Sequence, residues 1–262
     1  MYNESIERMI FMFSRKYGIP VVMYLLFVFL VFPQNAYAMH IAEGFLPVNW
    51  CVLWFALSIP FLFLGIRSIQ RTVKLNPSLK MLLGLAGAFA FVLSALKIPS
   101  LTGSCSHATG VGLGTILFGP LAMSVLGSIV LIFQAILLAH GGLSTLGANT
   151  FAMAVVGPIV VYGIYKASQK LGAPFALSVF LSAALGDLLT YVTTSLQLAL
   201  AFPAETGGVM ASFDKFIGIF ALTQTPLAVS EGILTVIVFN YLRAYNKREL
   251  QDLSVLSREV QA

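Results

Sequence analysis

Apolar runs separated by short polar breaks occupy most of the chain beyond residue 47, covering residues 48–67, 80–97, 111–119, 121–140, 149–166, 174–200 and 216–243. None shows the every-second-residue alternation of a half-buried strand. All but the third reach the roughly 17–25 apolar residues that a spanning helix requires. The pattern predicts an all-α fold, a polytopic transmembrane helical bundle of about seven membrane segments. The third run is short and stops at Phe118-Gly119-Pro120. Proline there removes a helical donor, so residues 111–140 are either one long helix or two segments, the first spanning or re-entering.

The N-terminal pattern is different. Residues 1–38 have a polar start with Arg15 and Lys16, an apolar run from Ile19 to Phe32, a stop at Pro33-Gln34-Asn35, and the small-residue pair Ala36/Ala38. That order is the pattern of a secretory signal peptide, and the run is short for a spanning helix. Cleavage before Met39 is expected, with an uncleaved anchor helix as the alternative. The predicted organisation is a removed leader at 1–38, a transmembrane domain at 39–245 and a cytoplasmic tail at 246–262.

Composition agrees with membrane residence. The 262-residue chain is 58% hydrophobic and 10% charged, with a mean hydropathy of +0.92, well outside the soluble range. Its formal charge of +5 is spread over short clusters between apolar runs, as in loops facing anionic lipid, and leaves no nucleic-acid patch. These clusters also choose between the two readings of 111–140. Two segments put Arg67, Arg71, Lys74, Lys80, Lys166, Lys170, Arg243, Lys247, Arg248 and Arg258 on the cytoplasmic face, with Lys97 and Lys215 outside. One segment scatters them, against the positive-inside rule. The expected topology has the mature N-terminus outside and the C-terminus in the cytoplasm.

With that topology all three histidines, His40, His107 and His140, fall at the outer boundary. Cleavage makes Met39 a free amine followed by His40. The amine, the deprotonated His40 amide and the His40 imidazole supply three nitrogens, and His107 from an outer loop is a fourth. An all-nitrogen plane suits late first-row divalent ions and excludes magnesium and calcium, which prefer oxygen. Taken singly, each histidine is also an ordinary interfacial side chain. The expected metal ligands are Met39, His40 and His107. His140, Glu43, Asn149 and Cys105 are supporting candidates, His140 through hydrogen bonds to backbone or Asn149, and Glu43 as a partner of His40. Cys51 and Cys105 lack metal-site or redox spacing, leaving room for a single bridge. Asp187 and Glu231 fall inside apolar segments. Each is a functional candidate or a helix tie through Thr190, Thr223 or Gln224. Gly84, Gly87 and Ala88 form a close-packing face. No phosphate-binding loop and no HExxH motif occurs, so an ATPase or zinc-protease reading has no residues to name.

Four stretches, "MHIAEGFLP", "ALKIPSLTGSCSHATGVGLGTILFGP", "FQAILLAHGGLSTLGANTFAMAVVGP" and "FIGIFALTQTPLAVSEG", together resemble the CbiM family, the substrate-binding membrane component of energy-coupling-factor cobalt transporters. The similarity runs from Met39 to about Tyr241. It implies a helical subunit of the bacterial plasma membrane that captures Co(II) at the outer face. The implied partners are a transmembrane coupling protein, a small accessory membrane protein and cytoplasmic ATPases, with the cobalt feeding cobalamin synthesis. It also implies that the mature terminal amine at Met39, His40 and His107 hold the ion, and that no organic cofactor is bound. Planar nitrogen geometry alone points first to Ni(II) or copper, whereas "GSCSHATG" resembles the cobalt branch. A nickel-specific capture component and a non-transporting membrane metal sensor or scaffold are the alternatives.

Overall fold

The computed structural model describes residues 37–38, 40–96, 98–99 and 104–255. Met39, Lys97, Arg258 and the leader up to residue 36 lie outside the described residues, as does the side chain of Cys105. Among the described residues, six apolar helices make up the bundle: α1 Val48–Leu75, α2 Leu79–Ala95, α3 Val111–Leu137, α4 Leu146–Lys170, α5 Phe175–Ala201 and α6 Gly208–Tyr245. A short α7, Lys247–Asp252, follows. Five of the six are long and apolar enough to cross a membrane, and α2 is shorter. The all-α expectation is met, and the seven-segment count holds approximately once the break within α3 is counted.

That break positions everything else. A straight helix of 27 residues would hold its ends about 40 Å apart at about 1.5 Å per residue. Yet His107 before α3 and His140 after it have ring centroids 4.8 Å apart. The chain reverses at Gly119, whose φ of 83° and ψ of 167° lie in a region that favours glycine, and Pro120 opens the returning arm. The arms press together so closely that a β-carbon at Gly114 would fall 2.5 Å from Met123 Sδ. Residues 111–118 and 120–137 are therefore two arms of a hairpin, the two-segment alternative.

The hairpin forms the centre of the bundle. The most apolar window of α3 is 61% buried, against 17% for α1, whose Phe55, Ile59, Phe63 and Ile66 point outward as a lipid face. A large core joins Leu82, Ala86, Leu113, Met123, Met153 and Phe239. A smaller one of Ile41, Leu46, Trp54, Ala148, Tyr191 and Phe220 lies toward the histidines. At the opposite end Lys166, Asn76 and Asp252 surround the Gly119 turn, and Arg243 stacks on Phe175 at 5.0 Å. The basic clusters named from the sequence thus gather away from the histidines. Residues 247–255 fold back there, with Leu250 fully buried and Asp252 accepting a hydrogen bond from Asn76 at 2.8 Å.

Three two- or three-residue strands cross the histidine end. β1 Tyr37–Ala38 pairs in parallel with β3 Ser104–Ser106, and β2 Ile98–Pro99 pairs antiparallel with β3. Hydropathy alternation does not reveal pieces this short. The bridge allowed by the two cysteines does not form at Cys51. Its thiol is free and donates to the Leu46 carbonyl at 3.6 Å.

Candidate metal centre

The three imidazoles converge from three separate parts of the chain. Ring centroids lie 4.7 Å apart for His40 and His107, 4.8 Å for His40 and His140, and 4.8 Å for His107 and His140. One nitrogen of each falls within 4.8 Å of the others, and all three side chains are buried. The spacing is that of donors able to share one central ion, and imidazole suits transition metals. His140, expected from the sequence to act from behind, stands as close to His40 and His107 as these stand to each other.

Each histidine is held through its backbone. The His107 carbonyl accepts from Tyr191 Oη at 2.6 Å and from Gln224 Nε2 at 3.3 Å. Its Nδ1 lies 2.9 Å from the Ala108 carbonyl. A carbonyl only accepts, so Nδ1 carries the hydrogen and the lone pair remains on Nε2. Tyr191 is one turn beyond Asp187, which sits midway along the 27-residue α5. The centre is therefore well inside the helical bundle. His140 follows α3 with its N–H on the Gln134 carbonyl at 3.1 Å.

His40 is positioned by a clamp on its neighbour. Asn149 Oδ1 accepts the Ile41 N–H at 2.8 Å, and Asn149 Nδ2 donates to the Ile41 carbonyl at 3.1 Å, reproducing the two bonds a β-strand partner supplies. Thr145 Oγ1 adds a bond to the same carbonyl at 2.5 Å. Asn149 directly precedes a π-helical turn, Thr150–Val156, a local widening that recurs at functional sites. Gln197 Nε2 secures Ala148 from α5 at 3.1 Å, and Ser58 Oγ secures Gly147 from α1 at 3.0 Å. Replacing Asn149 by alanine leaves the buried Ile41 N–H without this acceptor, at a cost of about 1–3 kcal/mol. Affinity of the three-imidazole cluster for a first-row divalent ion, measured by competition titration, is expected to fall by roughly 10-fold.

Glu43 supports the same segment from outside. Its carboxylate accepts from the Leu143 N–H and from the Ser144 N–H at 3.1 Å, while the Gly44 N–H donates to Ser144 Oγ at 3.0 Å. Gly142 permits this docking, because a β-carbon there would lie 2.5 Å from Glu43 Cα. Hydrogen bonds from the Ser144 hydroxyl first, then from the Ser144, Leu143 and Gly44 N–H groups, hold the carboxyl below its ordinary value near 4.5. A depressed carboxyl stabilises the fold above its unfolded pKa and loses that contribution as pH falls through its folded pKa. Protection of the Leu143 and Ser144 amides, measured as exchange relative to their intrinsic rates, is thus expected to hold in neutral solution and to fall as acidification carries the pH through the lowered pKa of Glu43.

Two carboxylates lie deeper. Asp187 joins Gln224 as expected, but the residue bridging both acids is Thr109, which carries no signal in its spacing. Its N–H lies 3.1 Å from Asp187 Oδ1 and 2.7 Å from Glu231 Oε2. Thr190 donates to its own helix at the Gly186 carbonyl, and Thr223 Oγ1 lies 2.5 Å from Ser106 Oγ. Gly84 has nothing within 4 Å of a β-carbon position and opens on an apolar groove rather than a packed contact.

Fold and site together define a multi-pass helical membrane protein with a buried chamber of three imidazoles at one end. The chain belongs to the CbiM family, whose model, described as the cobalt uptake substrate-specific transmembrane region, matches residues 40–249. It is 67% identical over 236 residues to the cobalt transport protein CbiM of Moorella thermoacetica, covering 90% of this chain and 91% of that protein. The corresponding Nostoc protein is 62% identical over 227 residues, covering 87% of each chain. A crystal structure described as a truncated transition metal transporter superposes with a TM-score of 0.69 at 26% identity, covering 79% of this chain and 99% of the other. The family is a transporter component.

Proposed function

We propose that this chain is the capture subunit of an energy-coupled cobalt importer of the bacterial plasma membrane. The observation that carries the reading is the closure of His40, His107 and His140 to 4.7–4.8 Å in a cobalt-uptake family. In this reading the leader is cut before Met39, which takes β1 away with it, and the liberated amine joins the imidazoles around Co(II). The family match beginning at residue 40, directly behind the small-residue pair, supports that cut. The positive-inside distribution supports a chamber facing outward and a Lys/Arg-rich end facing the cytoplasm. A transmembrane coupling protein, an accessory membrane protein and cytoplasmic ATPases supply the energy, and the imported ion serves cobalamin synthesis.

The chemistry follows from the donors. Co(II) is the transported substrate, held by neutral nitrogens that must shed protons first, so affinity falls as pH drops. Three imidazoles spaced evenly at 4.7–4.8 Å add His140 as a further nitrogen donor beside the Met39 amine, His40 and His107 expected from sequence. Cobalt over nickel then rests on the cobalt-uptake family rather than on donor type, which suits both ions. Exposure of the purified mature chain to equal cobalt and nickel is expected to leave cobalt in excess, read by elemental analysis. Nickel in excess assigns the chain to the nickel alternative. Absence of ATP-dependent uptake with all partners co-expressed points instead to a sensor or scaffold.

A further inference from the structure

Below the chamber lie two acids with no part in the ligand set described above. Asp187 on α5 and Glu231 on α6 are both fully buried. One donor, the Thr109 N–H, lies 3.1 Å from Asp187 Oδ1 and 2.7 Å from Glu231 Oε2, so it meets an oxygen of each acid, and the Thr109 hydroxyl donates to Glu231 Oε2 at 3.1 Å. Two ionised carboxylates meeting on one buried N–H repel each other, and a proton shared between them relieves that repulsion. Gln224 donates through Nε2 to Asp187 Oδ2 and to the His107 carbonyl.

A second observation is independent of the acids. Gln224 is 1% exposed, and the Oε1 atom of the amide lying against Asp187 has no hydrogen-bond partner. Acceptors outnumber donors here, and a buried polar atom left so calls for a proton donor or an ordered water. Two bare carboxylates inside a membrane are costly, and among the described residues no lysine or arginine bonds to either. Of the titratable groups on the packed elements, Tyr191 stands one turn along α5 from Asp187, and Gln224 bridges Asp187 to the His107 carbonyl. Tyr165, Lys166 and Lys170 on α4, and Asp214, Lys215 and Arg243 on α6, stand toward helix ends, and none bonds to the pair.

We propose that Asp187 and Glu231 form a single-proton site in the membrane domain, sharing one proton while the chamber is empty and releasing it when a divalent cation is held above. The release half rests on the capture reading. A dication among neutral nitrogens needs counter-charge, and this pair is linked to His107 through Gln224 and Thr109. The exchange balances: one dication enters, one proton leaves to solvent, the pair passes from one negative charge to two, and nothing is oxidised or reduced.

Infrared spectra of the mature chain in lipid vesicles, in water and in heavy water, test this. Metal-free protein at neutral pH should show a protonated-carboxyl C=O band that moves in heavy water and is missing from the D187N/E231Q double variant. Adding cobalt chloride should bleach it in step with bound metal, and an indicator dye should report about one more proton released by the wild type than by the double variant. A spectrum without the band, a band retained by the double variant, or a band unchanged while cobalt binds overturns the proposal. A band appearing only after sodium is removed overturns it in favour of a sodium site. Failure to bind cobalt with the band present overturns the capture reading and the release half, leaving the shared proton standing. The wild-type spectra need no variant, so refutation remains open even where the amide variants fail to fold.

Discussion

Replacing His107 by alanine is expected to lower cobalt affinity by at least 100-fold, since even outer partners of metal ligands are worth 10–100-fold. The loss should come from the missing imidazole rather than from a displaced loop. The bonds from Tyr191 and Gln224 end on the His107 carbonyl, and the Thr109 N–H and hydroxyl fasten the chain two residues on. Neither anchor involves the ring. Because His107 is fully buried, alanine also leaves a cavity, and His107→Gln, closer in volume, separates that cost from ligand loss. Both variants should bind cobalt poorly by competition titration, with glutamine keeping more of the thermal stability. Wild-type affinity in either would sink the chamber as the capture site. His140→Ala makes a useful companion: a loss matching that of His107 makes it a ligand, and a loss of roughly 10-fold makes it a supporting residue.

Retention of the leader should be as damaging. Bulky residues in place of Ala36 and Ala38 remove the small-residue signature that the cleaving peptidase needs. Residue 39 then carries an ordinary peptide nitrogen, a much weaker donor than a free amine. Intact mass is expected to show the uncut chain, and cobalt binding should fall by about two orders of magnitude, as for loss of a ligand. An uncut protein that imports cobalt normally would end the case for a terminal amine in the site. The wild-type mass alone is informative, because a first residue other than Met39 removes the geometry that puts the amine beside His40.

Much of this was legible before any coordinates. Lengths of apolar runs located the six apolar helices to within a few residues, except that α1 continues through Arg71 and Lys74 to Leu75 rather than stopping at 67, and α6 begins at Gly208 rather than 216. The extra turns carry Ser212, Asp214 and Lys215, so hydropathy does not mark them. Gly119-Pro120 signalled a break, and the charge distribution already favoured two segments across it. Thr109, Tyr191 and Gln224 were not readable as supports of His107, since a threonine, a tyrosine and a glutamine in apolar runs have many uses. Their roles depend on α5 and α6 packing against the 107–110 stretch. Asn149 was named for a different partner, because its target, the Ile41 backbone 108 residues away, leaves no trace in residue type.

What the sequence by itself determined is the membrane-spanning helical character of the chain and the rarity of its metal-binding side chains, because helix length, apolar periodicity and composition are local properties. Only the tertiary structure decided that three histidines spread over 100 positions enclose one point. That meeting requires the reversal at Gly119 to return α3 beside its own beginning and the Asn149 clamp to draw in Ile41. Contacts between distant segments follow from packing and backbone geometry, which no local pattern encodes.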